Sequence, residues 1–383
     1  MDRAALRLLC SPQFWRMAIT WTVSLLYSYL LLLFLRGRTT VPRRRRQTPT
    51  AADGRRPVCV VTGATSGLGK AAAAALAREG FHVVLAGRSA QLLSEMSAIL
   101  SFTDAIIINS VKQTVQEITT QQPDACLEAF QLDLTSYKSI RKFGTSLKQW
   151  LQETYSEPSI QLLINNAGIL AHSHRVTEDG LDETIQTNYI GPFVLTNILL
   201  PLLKNSRTPS RVVNLTSFTH RCVSCIDVSE NALRGMKPGQ CSTAKSYPFA
   251  STYEYTKFCL LLFSYELHRQ MHISSAVSVM AADPGVVETK IMRELPPWLS
   301  WFAFFVLRIL NLLQQPDTGV GAVLDAALAP PEASGKYFFG GKGRTIRSSW
   351  LSYDMQLGKK LWAESSALFK ELQLKHVILV NSQ

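Results

Sequence analysis

The stretch PVCVVTGATSGLGKAAAAALA, residues 57–77, decides the fold. Val58 to Val61 form a short apolar run, as a parallel strand buried on both faces requires. Thr62 to Gly69 supply a glycine turn, and the alanine-rich segment Ala71 to Ala77 favours helix. Strand, glycine turn and helix in that order make a phosphate site, because a helix N-terminus offers unpaired N–H groups and the positive end of its dipole. Gly63 permits the tight turn, Gly67 lets the backbone approach a pyrophosphate, and Gly69 allows close packing of helix on strand. Thr65, Ser66 and Leu68 lie in the same turn and join the glycines as expected cofactor contacts.

A second strand, Phe81 to Ala86, ends at Gly87-Arg88-Ser89. A free ribose 2′-hydroxyl calls for a carboxylate near this point, and the sequence has none there. Arg88 offers a planar guanidinium suited to a 2′-phosphate, so NADP(H) is expected, with NAD(H) as the alternative. The third strand ends in Phe130-Gln131-Leu132-Asp133-Leu134, and the segment Ser101 to Glu128 before it reads as an insertion, partly helical. The fourth, Gln161 to Ile164, runs into Asn165-Asn166-Ala167-Gly168. These βα repeats predict an α/β fold, a Rossmann-type doubly wound parallel sheet with its ligand at the strand C-termini.

Tyr253 is the only tyrosine with a lysine, Lys257, four residues later, and on a helix that spacing puts both side chains on one face. A free tyrosine, with a pKa of about 10, is a poor acid–base group near neutrality, and a nearby ammonium stabilises its phenolate. With the TGxxxGxG turn, the NNAG turn and this Y-x-x-x-K in that order, the sequence resembles the short-chain dehydrogenase/reductase family over about residues 57–345. Membrane-anchored, retinol-dehydrogenase-like members are closest in character, and the loop sizes with the Tyr-Glu-Tyr-Thr-Lys helix suggest a plant-type branch.

The resemblance implies an oxidoreductase acting on a CH–OH group, with a tetrad of Asn188, Ser217, Tyr253 and Lys257. In it Tyr253 handles the proton and Ser217 hydrogen-bonds the substrate oxygen, with Thr216 as a neighbouring hydroxyl. Lys257 holds the ribose, and Asn188 links the lysine to a relay water. Asp133 meets the adenine. Asn165, Ala167 and Gly168 belong to the NNAG turn beside the cofactor. Pro284, Gly285, Val286 and Thr289, in the turn after the sixth strand, border the nicotinamide, and Val286 and Thr289 touch its carboxamide.

The formal net charge is +12, but residues 1–56 hold eleven arginines and two aspartates, which leaves +3 for the rest. The basicity therefore bears on membrane topology, and no nucleic-acid partner is expected. Met17 to Leu35 carry no charge, enough residues at ~1.5 Å each to cross most of a ~30 Å hydrocarbon core. The run is too long for a signal-peptide core and stops at Arg36-Gly37-Arg38 rather than at a cleavage site. The expected organisation is an anchor over 1–38 (span about 17–35), a basic flexible linker over 39–56, and a dehydrogenase-type domain over 57–383. Arg36, Arg38 and Arg43 to Arg46 outweigh Arg3, Arg7 and Arg16, which places the domain in the cytosol, on the endoplasmic reticulum as the expected membrane.

From Trp298 to Leu313 a largely apolar stretch, broken by Arg308, is too short for a second span. It is either a lid that dips into the bilayer and admits a lipophilic substrate, or a packed core or dimer-interface helix. Seven cysteines, an odd number, argue for a reducing compartment. Cys222 and Cys225, with His220 and Cys241 nearby, read as a solvent-facing loop, with a redox pair or zinc as lesser alternatives; no metal is expected. The expected function is NADP(H)-dependent interconversion of a lipophilic alcohol and its carbonyl. A non-catalytic NADP(H)-binding scaffold at a membrane is the alternative, and a homodimer through two long helices stays open.

Overall fold

The structure, a computed structural model, describes residues 11–34, 40–43, 56–88, 102–155, 157–236, 247–272, 277–294 and 297–381. Cys10, Leu35, Arg36, Arg38, Arg44 to Arg46 and Cys241 lie outside the described residues. The chain runs through α1 (Pro12–Phe34), β1 (Val58–Thr62), α2 (Gly67–Arg78), β2 (His82–Gly87), α3 (Phe102–Gln121), β3 (Cys126–Gln131), α4 (Tyr137–Thr154) and β4 (Leu162–Asn165). It continues through α5 (Gly191–Lys204), β5 (Ser210–Leu215), α6 (Phe249–His272), β6 (Val277–Asp283), β7 (Val286–Val287), α7 (Pro297–Ile309) and β8 (Leu313–Gln314). The last elements are α8 (Pro316–Ala327), β9 (Tyr337–Phe339) and α9 (Met355–Asn381).

Seven strands form one parallel sheet in the order β3-β2-β1-β4-β5-β6-β9. The order reverses between β1 and β4, and a ligand crevice opens at the carboxyl ends of strands at such a switch point. β1 shows why its sequence does not alternate. Val58 and Val60 enter one core with Phe143, Phe193 and Phe263, while Cys59 and Val61 enter the other with Leu76 and Val323. Each buried aliphatic side chain contributes ~1.5–3 kcal/mol, so both faces must be apolar.

The segment Ser101 to Glu128 is no insertion in topology. It holds α3 and the start of β3, the crossover that two parallel strands require. Ile118 of α3 enters the core beside α2, and Gln122 Nε2 donates to the Ala74 carbonyl at 3.2 Å. At the other end of the chain α9 crosses α5 and α6. Trp362 meets Phe193 and Phe263 at centroid distances of 5.3 and 5.9 Å, and the Tyr189 and Ser365 hydroxyls lie 2.6 Å apart. α9 therefore occupies this side of α6 within the chain.

α1 is long and apolar enough to cross a membrane, yet one side of it rests on the domain. Met17, Ser24, Leu25, Ser28 and Leu32 form a buried stripe at helical spacing, while Ile19, Val23, Leu26, Leu30 and Leu33 are exposed. The expected linker also begins docked. Thr40 bridges Arg344, Val41 N donates to the Gly343 carbonyl at 2.7 Å, and Arg43 Nε donates to the buried Asp325 carboxylate at 2.7 Å. Backbone pairing and a charge-assisted bond hold these residues where composition alone suggests free chain.

Candidate active site

The glycine turn joins β1 to α2. Gly63 and Gly67 have φ of +65° and +49°, a region that residues with a Cβ rarely adopt. At Gly69 an added Cβ would stand 2.2 Å from the Gly63 carbonyl oxygen, so α2 and β1 approach as closely as the sequence requires. Ser66 is the N-cap of α2 but makes no side-chain cap hydrogen bond, which leaves the first-turn N–H groups facing the cavity for an anion. Thr62 and Asn166 bolt this turn to the NNAG turn. Asn166 Nδ2 donates to the Thr62 carbonyl at 2.7 Å, and Thr62 Oγ1 accepts from the Asn166 and Ala167 amides at 3.0 Å each.

One cavity of about 890 Å³ takes in Gly63, Thr65, Ser66, Gly67, Leu68, Gly69, Arg88, Asp133, Ala167, Gly168, Ser217, Tyr253, Lys257, Pro284, Gly285, Val286 and Thr289. Two expected residues are elsewhere. Asn165 points away from the cavity: its Nδ2 donates to Asn214 Oδ1 at 2.7 Å and Thr196 Oγ1 at 3.0 Å, knitting β4 to β5 and α5. Asn166 lines the cavity instead. Successive residues at a strand end point to opposite sides, so alternation carried the signal. Asn188 also stands behind the wall, in a π-helical turn, Gln186–Ile190, before α5. Its Oδ1 accepts from the Ile169 amide at 2.8 Å, and its Nδ2 donates to the Ile169 carbonyl and to Thr256 Oγ1. A Cβ on Gly168 would lie 3.4 Å from Asn188 Oδ1 and 3.5 Å from Lys257 Nζ, so the asparagine and the lysine meet across that glycine.

Tyr253 and Lys257 sit near the start of α6, both buried. Burial raises the Tyr253 phenol above its ordinary range, the Asp283 carboxylate raises it further, and a hydrogen bond with Ser217 opposes both. Burial pushes the Lys257 ammonium down to about 8, against the pull of Asp283. Lys257 Nζ donates to the Leu215 carbonyl at 2.8 Å and lies 5.7 Å from the Tyr253 ring centroid. Thr216 Oγ1 donates to the Lys257 carbonyl at 2.9 Å, which leaves Ser217 as the hydroxyl beside Tyr253.

Asp283 passes unremarked in a sequence reading that stops at the Pro-Gly turn. It is fully buried, and burial lifts its carboxyl to about 6. The Tyr337 hydroxyl donates to Oδ2 at 2.5 Å and the Gly285 amide to Oδ1 at 2.8 Å.

Two apolar helices wall the rest. α1 supplies Met17, Ala18, Trp21 and Leu25, and α7 supplies Ala303, Phe304, Val306 and Leu307. The outer side of α7 shows Trp301, Phe305 and Ile309 to solvent, so α7 is not a packed core helix. Its base is fixed by β7 pairing with β8 and by Arg308 Nη2 donating to Glu288 Oε2 at 2.9 Å. His220 takes a structural part: Nδ1 lies 2.6 Å from the Ser217 carbonyl, and Nε2 accepts from the Ser349 amide at 3.2 Å. Cys222 Sγ contacts Ser24 Oγ and Cys225 is exposed; among the described residues no His, Cys, Asp and Glu group is arranged to hold a metal.

Comparisons with known proteins agree with this architecture. Residues 57–223 match the family model described as short chain dehydrogenase. Human polyprenol dehydrogenase is 32% identical over 315 residues, covering 80% of this chain and 83% of that protein. Human retinol dehydrogenase 13 is 31% identical, covering 81% and 83%. The chloroplastic short-chain dehydrogenase TIC 32 A of Brassica napus is 28% identical, covering 84% and 91%. Among solved structures, a protein from Mycobacterium paratuberculosis superposes with a TM-score of 0.57 at 26% identity, covering 82% of this chain and 93% of that one. NADPH-bound carbonyl reductase from chicken fatty liver gives 0.52 at 20% identity, covering 77% and 95%, a likeness of fold.

Proposed function

The chain belongs to the short-chain dehydrogenase family, and from that premise we propose that it is a membrane-held, NADP(H)-dependent oxidoreductase that interconverts a lipophilic alcohol and its carbonyl. One observation carries this reading: a single cavity joins the glycine turn and Arg88, the Tyr253–Lys257 pair, and an apolar enclosure made by α1 and α7. The residues fit a dinucleotide phosphate. The N-terminus of α2, without a side-chain cap bond, would hold the pyrophosphate, Arg88 a 2′-phosphate and Asp133 the adenine, while Val286 and Thr289, which line the same cavity, would border the carboxamide. Bound there, the nicotinamide supplies or accepts the hydride.

The chain's own groups handle the proton. Tyr253 is protonated at neutral pH and donates to the developing alkoxide in reduction, or accepts from the alcohol in oxidation. Lys257, with a value of about 8, is largely an ammonium at neutrality and lowers the cost of the phenolate. Ser217 orients the substrate oxygen. Asn188 holds the Ile169 backbone, next to the Gly168 that lies against Lys257. A cytosol-facing domain with an NADPH pool favours reduction, and the endoplasmic reticulum is the proposed membrane. The Brassica relative is named as chloroplastic, which makes the chloroplast the other location, and membrane fractionation separates the two. The names of the human relatives, a polyprenol and a retinol dehydrogenase, favour an isoprenoid-like alcohol.

The test uses the full chain in mild detergent, titrated with NADPH and NADH by fluorescence and assayed with retinal, polyprenal, steroid ketones and medium-chain aldehydes. Tyr253→Phe should reduce turnover by about 10²–10⁴-fold while NADPH affinity stays within about threefold. Binding without turnover on any lipophilic carbonyl, in both wild type and variant, would support the scaffold instead.

A further inference from the structure

Glu254 follows the tyrosine of the Y-x-x-x-K pair and is 3% exposed, yet it does not line the cavity. A buried carboxylate needs partners, and α1, more than two hundred residues earlier, brings two. Trp21 Nε1 donates to Glu254 Oε1 at 2.7 Å, and Arg16 Nη2 donates to Oε1 and Oε2 at 3.1 and 3.2 Å. Arg16 also donates to Ser251 Oγ at 2.9 Å, and the Trp21 ring lies 5.7 Å from that of Tyr253. Further along, Ser24 Oγ meets Cys222 Sγ at 3.3 Å and Arg221 Nε donates to Ser28 Oγ at 3.0 Å. A helix that only has to sit in lipid has no use for this row of polar groups. Each instead finds its match on the domain.

We propose that α1 is a side wall of the substrate site and that Glu254 is the positioning residue which latches it there through Arg16 and Trp21. The residues it presents, Met17, Ala18, Trp21 and Leu25, line the same cavity as Phe304 and Leu307 of α7. The outer sides of both helices are exposed and apolar. The substrate class that fits is an alcohol or aldehyde with a long apolar tail, the reacting carbon at Tyr253 and the tail leaving between α1 and α7. This inference rests on the assignment of Tyr253 as the acid–base.

The experiment uses the full chain in phosphatidylcholine vesicles, with Arg16→Ala, Trp21→Phe and Arg16→Lys. Two readouts are taken: KM and kcat for a long-tailed aldehyde and for a short water-soluble one, and amide hydrogen exchange over residues 249–257. Trp21→Phe, which removes one charge-assisted hydrogen bond to Glu254, should raise KM for the long-tailed aldehyde by about tenfold, and Arg16→Ala, which removes both of the arginine's contacts with that carboxylate, by at least as much. With Arg16→Ala, which leaves the cavity lining intact, the short aldehyde should lose far less and NADPH affinity should hold; exchange over 249–257 should quicken in both variants, and Arg16→Lys should keep most of the wild-type KM. Equal losses on both aldehydes, or unchanged exchange, overturn the latch. If the wild type reduces no carbonyl, the Tyr253 assignment falls by itself, and the exchange arm still decides whether α1 is latched through Glu254.

Discussion

The cofactor side of the cavity and its apolar side are built by opposite means. The cofactor side is backbone: a glycine turn with positive φ at Gly63 and Gly67, a helix N-terminus, and the NNAG turn bolted on by Thr62 and Asn166. Its parts are contiguous in sequence, and steric necessity dictates the residue types. The apolar side is made of side chains from α1 and α7, nearly three hundred residues apart, held by a few polar contacts such as those on Glu254. Rigid local geometry suits a ligand that is always the same, and two apolar helices with exposed outer faces suit one that arrives from lipid.

The largest effect expected on the backbone-built side is at Gly69. Gly69→Ala puts a Cβ against the Gly63 carbonyl oxygen, which a backbone cannot yield cheaply. Stability should fall by about 1–3 kcal/mol or more, and affinity for NADPH and NADH should fall together. Denaturant melts with cofactor titrations check this, and a Gly69→Ala variant that melts and binds like wild type would break the contrast between the two sides. Arg88→Ala should weaken NADPH binding by about 10–100-fold, on a loss of about 1.5–3 kcal/mol, and leave NADH within about threefold. An equal loss for both cofactors would mean that Arg88 shapes the turn rather than reading a 2′-phosphate.

A third effect, read as a pH slope, lies between the two sides, at Asp283. Its folded value of about 6 is above its unfolded 3.8, so the fold holds this proton more tightly and loses stability as pH rises between about 4 and 6. Lys257, at about 8 against 10.5 unfolded, works the other way, and stability rises with pH between about 8 and 10.5. Asp283→Asn keeps the hydrogen bond with Tyr337 and should flatten the acid-side slope, a change of about 3 kcal/mol at most. Thermal melts from pH 4 to 7 measure it. A slope that persists would assign the acid-side titration to another carboxylate.

Much of the site was legible because its rules are local. The turn from Gly63 to Gly69, the Arg88 position and the one-face spacing of Tyr253 and Lys257 follow from backbone sterics and helical repeat. Ser217 could be separated from Thr216 only when the Lys257 carbonyl was seen to accept from Thr216. The side chain of Asn165 turns into the sheet, which the motif does not record because it names residues and not the side to which each points. The segment 101–128 looked like an insertion because length alone does not distinguish an extra loop from a long crossover.

The sequence by itself determined the parallel α/β fold, the phosphate turn, the ordering of the Tyr–Lys pair after it and a helix apolar enough for a membrane, since each depends on residues within a few positions of one another. Tertiary structure alone decided that this helix rests on Glu254 beside Tyr253, that Asp283 is buried against Tyr337, and that α9 covers α5 and α6. Those contacts join residues tens to hundreds of positions apart. They are selected by which buried charge finds a donor and which apolar face finds a cover, and no local pattern records that pairing.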